Sequence, residues 1–348
     1  MAYGFQIKDT AGNVILNSAS LAVHLAGEAV VPASTSATQK IPFPNIHGNT
    51  VMPVWADTPL NYLTNQLHYP RLSWDYTNRN VIVTGAMGVS AGINVYATGS
   101  VVSSNPHGFI SGEGIISDEY TQLVFIGKAA HISDLVTTVG GYFTFSRQRF
   151  RMNLPAGVTK IYTFHHTITG QVIRELNYYT GYVDMICALT PGSSYYPTGD
   201  VNTQIYCFAK MSELGPSNAN PDGIRIFDGA GSLIFDSGYG RKILRNISTF
   251  SAYRPTTNGI IDVAAGSVLS ATHAPKTKPA YGIVGHNIYE VISGLSGAFL
   301  DILMRSQGTS TFKTQAAPKP GTGGRVAAWS AATGATANYA VIDGADYD

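Results

Sequence analysis

The sequence predicts an all-β protein built from tandem β-sandwich or barrel-like domains, with one or two short helices and an extended C-terminal arm. Three observations support this prediction. Short apolar segments recur between glycine, proline and asparagine breaks, at the spacing of sandwich strands. Charged residues make up only 12% of the 348 residues, while glycine (37) and tyrosine (20) are plentiful, which suits sheets with uncharged outer faces. A hairpin pattern also occurs twice along the chain.

A chain of this length is too long for one ordinary hydrophobic core and predicts two or three domains. The Ser-Ser-Asn-Pro segment at 103–106 marks the first boundary. We therefore predict an N-terminal β domain over 1–104, a larger β domain over 105–314 and a Gly/Ala/Pro-rich C-terminal arm over 315–348. The arm is expected to be extended and able to reach an adjacent subunit.

The repeated pattern opens the chain at 4–18 and returns at 223–237. At the constant offset of 219, seven of the fifteen positions are identical. In each copy an aspartate starts a four-residue turn and a glycine ends it, namely Asp9 and Gly12 in the first copy and Asp228 and Gly231 in the second. A short carboxylate accepts hydrogen bonds from the backbone ahead of it, and glycine adopts a positive φ without a Cβ penalty. Each copy is therefore predicted to form a β-hairpin.

The other N-terminal segments are assigned in order. Residues 21–32 alternate enough to form strands, and the cap, proline and leucine pattern of 57–67 predicts a short helix. Residues 71–76 and 80–84 flank a turn and predict a further hairpin, after which 93–99 is predicted to be the closing strand.

The larger domain is predicted to contain a series of short strands, at 122–126, 142–145, 160–164, 182–189 and 204–209. Between 286 and 305 the apolar residues fit either one helix or two strands, because Gly294 and Gly297 interrupt them. Both interpretations are kept open.

Cysteine content and charge limit the classes of function. Cys187 and Cys207 do not make a disulfide framework; each lies in an apolar strand-like run, so buried free thiols are expected, with pairing left open if the two strands are neighbours. The 22 basic and 21 acidic residues give a net charge of +1, which provides no field to attract nucleic acid or an anionic membrane. The sequence lacks an 18-residue apolar run and a signal-like N-terminus, so neither membrane insertion nor secretion is expected.

Patterns of catalytic chemistry occur only in fragments. The stretch Gly88-Val89-Ser90-Ala91-Gly92 matches the G-x-S-x-G of hydrolases, but strand-forming residues follow it where a nucleophile elbow needs a helix. His165 and His166 are adjacent, and adjacent side chains on a strand point to opposite faces, so the pair does not chelate one ion. We therefore predict no catalytic residue, no cofactor and no metal site, and a protein that is not an enzyme.

The second hairpin copy runs from Gly223 through Asp228 and Gly231 to Phe235-Asp236-Ser237. It resembles the hairpin G-L-x-V-x-D-x-x-G-x-x-x-F-D-S of structural tail and baseplate proteins of tailed bacteriophages. The opening Met1-Ala2-Tyr3-Gly4 is similar to the start of many such proteins, although Asn17 stands where the second copy has an aspartate. The resemblance implies a virion component, made in the host bacterial cytoplasm, that assembles with other tail or baseplate subunits and has no enzyme activity.

The resemblance also implies a homo-oligomer, because a tail has rotational symmetry. Low charge and high β content agree with a subunit that buries sheet surfaces and strand edges against its neighbours. Two alternatives stay open. One is a receptor- or polysaccharide-binding tail fibre domain, whose tyrosines would contact a host surface glycan, and the other is a capsid decoration protein.

Overall fold

The computed structural model confirms the all-β prediction, because short antiparallel strands dominate the chain. Helical structure in the described residues is limited to α1 (Met211–Leu214) and two 3-10 helices, Ser237–Lys242 and Gly344–Tyr347. The structure describes residues 6–8, 14–17, 23–46, 50–56, 71–85, 87, 90–98, 108–111, 114–117, 122–139, 143–166, 172–179, 182–189, 204–217, 223–228, 230–245, 247–254, 260–262, 268–282, 288–289, 300–307, 309–316, 325–327 and 335–348.

The strands in these ranges are numbered in chain order. They are β1 (Gln6–Lys8), β2 (Val14–Asn17), β3 (Val23–Val31), β4 (Thr38–Pro42), β5 (Thr50–Trp55), β6 (Arg71–Asp75), β7 (Asn80–Thr84), β8 (Ala91–Thr98), β9 (Gly108–Ser111), β10 (Gly114–Ser117), β11 (Leu123–Lys128), β12 (Ala130–Val139), β13 (Phe143–Asn153), β14 (Tyr162–His166), β15 (Val172–Tyr179), β16 (Tyr182–Leu189), β17 (Gln204–Lys210), β18 (Arg225–Phe227), β19 (Leu233–Asp236), β20 (Ser248–Arg254), β21 (Ile260–Asp262), β22 (Val268–Thr272), β23 (Pro279–Gly282), β24 (Ile288–Tyr289), β25 (Leu300–Gln307), β26 (Thr311–Ala316), β27 (Arg325–Ala327) and β28 (Ala335–Asp343).

The N-terminal strands form a β-sandwich of two three-stranded antiparallel sheets, with strand orders β3-β8-β5 and β4-β7-β6. Side chains alternate across each strand, so one face of each sheet is turned to its partner. Ile93 and Val95 of β8 lie between the sheets, where they join Val81 and Val83 of β7 and Trp55 of β5 in one buried cluster. This cluster is the core of the predicted sandwich.

A ten-stranded antiparallel sheet carries most of the rest of the chain, in the order β11-β17-β14-β23-β28-β20-β22-β26-β25-β24. The outer face of the sandwich sheet β3-β8-β5 packs against it. Leu25, Val54 and Tyr96 from the sandwich form one buried cluster with Phe164 and Phe208 of the large sheet. The sandwich and the large sheet therefore share a hydrophobic core, and the predicted boundary near 104 lies outside the described residues.

The opposite face of the large sheet is buried by a different set of side chains. Along β17, Ile205 and Cys207 point away from the sandwich and pack with Phe150 of β13 and with Ile161. Strand β13 belongs to a four-stranded sheet of order β12-β13-β16-β15. The end of β11 and the start of β17 are thus covered on both faces, and β17 is almost continuously apolar for that reason.

The predicted C-terminal arm is wrong for residues 335–348. Strand β28 lies in the interior of the large sheet between β23 and β20, and Ala340, Val341 and Ile342 are almost completely buried. Small residues are needed here, because the ring of Phe164 packs over Gly282, whose partner across the strands is Ala340. An Ala-rich composition therefore reflects close packing of a central strand.

Other predictions have clear outcomes within the described residues. The hairpin at 71–76 and 80–84 is confirmed as β6 and β7, whose turn begins at Asp75. The segment 286–305 contains the two strands β24 and β25 rather than one helix. The helix predicted at 57–67 lies outside the residues that the structure describes.

Candidate interaction surface on the repeated hairpin

The second hairpin has the turn that its sequence predicts. The Asp228 carboxylate accepts hydrogen bonds from the backbone N–H groups of Ala230 (2.9 Å) and Ser232 (2.7 Å). The Gly231 N–H donates to the Asp228 carbonyl oxygen at 3.0 Å, and Gly231 has a φ of 84°. The bond from the Ser232 backbone, with the other backbone bonds of the turn, lowers the pKa of Asp228 below its ordinary value.

The two copies of the pattern form hairpins of identical register. In the first copy Gln6, Ile7 and Lys8 pair with Asn17, Leu16 and Val14, and the register shifts between Ile7 and Lys8. Adding 219 to every number gives the pairs of β18 and β19, with the register shift at the same place. Asp9 and Gly12 lie outside the described residues. The repeat in sequence is therefore a repeat of strand pairing, and β2 lies beside the Ser237–Lys242 helix that follows the second hairpin.

The base of the second hairpin is held by Asp236, which is 1% exposed. Its carboxylate accepts hydrogen bonds from the N–H groups of Ser217 and Gly238, both at 2.7 Å, and from the Arg225 guanidinium Nε at 3.1 Å. The same guanidinium donates to the Ser217 carbonyl oxygen at 2.8 Å. This network attaches the hairpin to the loop after α1.

The first and last residues of the pattern also meet. The Ile224 N–H donates to the Ser237 hydroxyl at 2.8 Å, and the Ser237 N–H donates to the Ile224 carbonyl oxygen at 2.9 Å. A Cβ on Gly223 would collide with the Ser237 hydroxyl. The pattern begins with a glycine and ends with a serine in both copies. In the second copy these two residues are needed because they close the base of the hairpin.

The hairpin has one buried and one exposed side. Leu233, Ile234 and Phe235 of β19 are buried against β11, α1 and the Ser237–Lys242 helix. By contrast, Ile224 and Phe227 on the β18 side are 49% and 47% exposed. Among the described strands β18 pairs only with β19. The hairpin therefore presents two exposed apolar side chains and, among the described strands, an open edge on β18, a combination that suits contact with another protein chain.

Replacing Gly231 by valine should lower the free energy of unfolding by more than about 1 kcal/mol, since a β-branched residue is strained at positive φ. The space around Gly231 is open, so a steric clash is not the cause. Urea unfolding of the purified variant measures the effect. The matched control is Ala230→Val, at the neighbouring exposed position without positive φ, which should leave stability nearly unchanged. An equal effect at both positions would contradict the turn assignment.

A charged network that the sequence did not reveal joins the N-terminal sandwich to the large sheet. Glu28 of β3 accepts from Lys160 Nζ at 2.5 Å and from the Tyr162 hydroxyl at 2.8 Å, and it also forms an ion pair with Lys210. Partial burial raises the pKa of Glu28, but the hydrogen bonds from Lys160, Lys210 and Tyr162 outweigh burial and keep its pKa below the ordinary value. Together with the shared apolar core, this network holds the sandwich in its orientation against the large sheet.

The structure also places the residues of the rejected catalytic patterns. Strand β8 begins directly after Ser90, so no helix follows this serine, as predicted. His165 and His166 are adjacent on β14, where His165 is buried and His166 is half-buried. Cys207 is a buried free thiol, and burial raises its pKa to about 12. The side chain of Cys187, on β16, lies outside the described side chains.

The described residues contain neither a cluster of metal ligands nor a membrane-spanning helix. No three His, Cys, Asp or Glu side chains within these ranges come together as a metal ion would require. No helix in this part of the chain has the length and apolarity needed to cross a membrane.

Comparison with known proteins gives no match of any kind. No family model, no curated protein and no solved structure is significantly similar to this chain.

Proposed function

We propose that this protein is a non-enzymatic structural subunit of a bacteriophage virion, located in the distal tail, the baseplate or the fibre-attachment region. The proposal places the subunit in contact with further copies of itself and with other tail proteins. It acts by burying uncharged sheet surfaces and strand edges, and it is made in the host bacterial cytoplasm.

The observation that carries the proposal is the duplicated hairpin. Two segments 219 residues apart share sequence, strand register and the position of the register shift. The second copy resembles a hairpin of tail and baseplate proteins, and every distinctive residue of that copy has a structural role. Gly223 and Ser237 close the base, Asp228 and Gly231 make the turn, and Asp236 attaches the hairpin to its neighbours.

The exposed side of the second hairpin supplies the contact surface. Ile224 and Phe227 lie about half exposed beside β18, whose outer edge is unpaired among the described strands. Burying the exposed half of each side chain against a partner contributes roughly half of the about 1.5 to 3 kcal/mol of full burial. We propose that a second copy of this chain covers this surface in the homo-oligomer.

Purified wild-type protein is therefore expected to self-associate in sedimentation velocity experiments. The double variant Ile224→Ser/Phe227→Ser should weaken association at least tenfold, because it removes about 1.4 kcal/mol or more of apolar burial. Val30, which is 68% exposed on β3, provides the matched control, and Val30→Ser should leave association unchanged. A monomeric wild type, or equal effects of the hairpin and control variants, would show that Ile224 and Phe227 do not form the contact between copies.

The location in the virion is tested directly with particles. Mass spectrometry of purified virions should detect the chain, and a density map should place it at the distal end of the tail. Density on the head lattice would instead identify a capsid decoration protein. Absence from purified particles would overturn the proposal.

A specific observation favours glycan binding as a second candidate. Trp74 and Tyr76 meet edge to face at 6.5 Å, Phe43 lies 6.4 Å from Trp74, and Tyr76 is 57% exposed. Exposed aromatic rings with a polar end are suited to stack on sugars. This candidate requires that the purified chain bind isolated host glycans and that Tyr76→Ala abolish the binding.

A further inference from the structure

Five neighbouring strands of the large sheet each have one terminus on the same side of the sheet. These termini bring together residues from distant parts of the chain. Because β11, β17, β14, β23 and β28 alternate in direction, the end of one strand lies beside the start of the next. Lys128 ends β11, Gln204 starts β17, and Lys278 comes directly before β23. Asp348 follows the 3-10 helix after β28.

Positive and neutral donors surround the Asp348 carboxylate. Lys128 Nζ lies 2.6 Å from one of its oxygens and Lys278 Nζ lies 2.7 Å from the other. The Tyr206 hydroxyl donates to the carboxylate at 2.9 Å. Although partial burial raises the pKa of Asp348, the hydrogen bonds from the two lysines and Tyr206 outweigh it and lower the pKa to about 2. The carboxylate is therefore ionised at neutral pH and is bound through both oxygens.

The two lysines are held in place by more than Asp348. The Oε1 of Gln204 accepts from Lys278 Nζ at 2.6 Å and lies 3.4 Å from Lys128 Nζ. Both ammonium groups also lie over the Tyr206 ring, at 5.3 Å for Lys128 and 5.9 Å for Lys278 from its centroid. Gln204 and Tyr206 therefore keep the two positive charges together without the carboxylate.

The segment that carries Asp348 is also held by residues other than Asp348. Tyr347 is buried in the core shared with the sandwich, and its hydroxyl accepts from the Arg245 N–H at 3.0 Å. Asp343 accepts from the N–H groups of Thr277 and Lys278 at 2.6 and 2.8 Å. These contacts anchor the segment before its last residue, while the Asp348 side chain is 38% exposed.

We propose that Lys128, Lys278 and Tyr206 form a carboxylate-binding site, in which Asp348 is the resident ligand and a carboxylate from outside the chain can take its place. The chemistry is that of two ammonium donors and one hydroxyl donor arranged around two carboxylate oxygens. The external carboxylate comes from a free small acid or from an acidic segment of another protein. This inference does not depend on the proposed virion role.

The test uses the full chain with Asp348→Ala, which opens the site. Citrate stands for a free acid, and the peptide Gly-Ala-Asp-Tyr-Asp, which copies residues 344–348, stands for an acidic protein segment. Titration calorimetry at constant ionic strength should show that at least one of these probes binds Asp348→Ala at least tenfold more tightly than wild type. The reason is that an intramolecular competitor acts at an effective concentration in the millimolar range. Binding of citrate alone would identify a site for solutes, and tighter binding of the peptide would identify a protein partner.

Adding Lys278→Ala to the Asp348→Ala variant should weaken probe binding at least tenfold. The matched control adds Lys242→Ala, which removes an exposed lysine elsewhere on the surface and should leave binding unchanged. Circular dichroism checks that each variant is folded, and Asp348→Asn replaces Asp348→Ala if the alanine variant does not fold. Equal affinities of the opened variant and wild type, or equal effects of the two lysine substitutions, would overturn the proposal.

Discussion

Asp236→Ala should lower the free energy of unfolding by about 3 kcal/mol. The carboxylate is 1% exposed and accepts hydrogen bonds from two backbone N–H groups and from Arg225. Alanine leaves the N–H groups of Ser217 and Gly238 without this acceptor and leaves the guanidinium without its counter-charge. Each buried donor that loses its partner costs about 1 to 3 kcal/mol, and breaking a buried ion pair costs about 3 to 5 kcal/mol. Partial exposure of Arg225 reduces the second cost.

Urea unfolding at pH 7.5, monitored by circular dichroism, measures this loss. Asp236→Asn should be intermediate, because the amide oxygen accepts only part of the network and the amide nitrogen faces other donors. Asp75→Ala is the matched control. Asp75 also accepts two backbone N–H bonds, but in an exposed turn where water replaces the carboxylate, so its loss should be much smaller. Equal losses for Asp236→Ala and Asp75→Ala would contradict the role of burial.

The stability of the protein should fall by about 2 kcal/mol between pH 7.5 and pH 5.0 because of His165. This side chain is 1% exposed between β17 and β23, and its Nδ1 has no hydrogen-bond partner among the described residues. Burial lowers the pKa of His165 to about 3, against about 6.5 in an unfolded chain. The unfolded state therefore binds the proton more readily below pH 6.5, and each further pH unit down to about 3 removes about 1.4 kcal/mol.

Two neighbouring histidines, His273 and His166, also reduce the stability of the folded protein on acidification. His273 lies on the same face, with its Nε2 2.9 Å from the Tyr281 hydroxyl and its Nδ1 2.8 Å from the Ala274 carbonyl oxygen. The carbonyl can only accept, so Nδ1 carries the proton and Nε2 accepts from Tyr281. Burial lowers the pKa of His273, and burial likewise lowers that of His166. The loss of stability on acidification is therefore at least the contribution of His165.

His165→Leu should remove about 2 kcal/mol of the difference between pH 7.5 and pH 5.0, as measured by urea unfolding at both values. The control is Val30→Ser, at an exposed position on β3 without a titratable group, which should keep the full pH dependence. His165→Gln serves the same purpose if leucine prevents folding. A wild type with equal stability at the two pH values would show that His165 is not buried as the structure describes.

Local patterns in the sequence predicted several of the strands and the second hairpin. Residues 80–84 and 182–189 were predicted with the bounds that the structure shows, because turn residues bracket alternating or apolar runs there. The turn at Asp228 and Gly231 followed from backbone chemistry within four residues. Strand bounds and turns of this kind depend on residues that are close in sequence, so a single sequence is sufficient to predict them.

Features that depend on distant residues were not predictable in this way. Strand β28 was assigned to an arm because residues 315–348 are rich in Gly, Ala and Pro, whereas in the structure Ala340 packs beside Gly282 and the ring of Phe164. The carboxylate site joins Lys128 to Asp348, 220 residues later. Glu28 meets Lys160 across 132 residues. Nothing in the local pattern of a single lysine or carboxylate indicates such a partner.

The central position of β28 has a consequence for synthesis on the ribosome. Strands β20 and β23 are both made before β28, yet each pairs with it, so two strand edges wait unpaired until residue 343 has emerged. The N-terminal sandwich, whose strands all lie before residue 99, can form its own core much earlier. Nascent chains of this protein therefore pass through a stage in which a finished sandwich carries an incomplete sheet, and that stage is the one most exposed to aggregation and to chaperone binding.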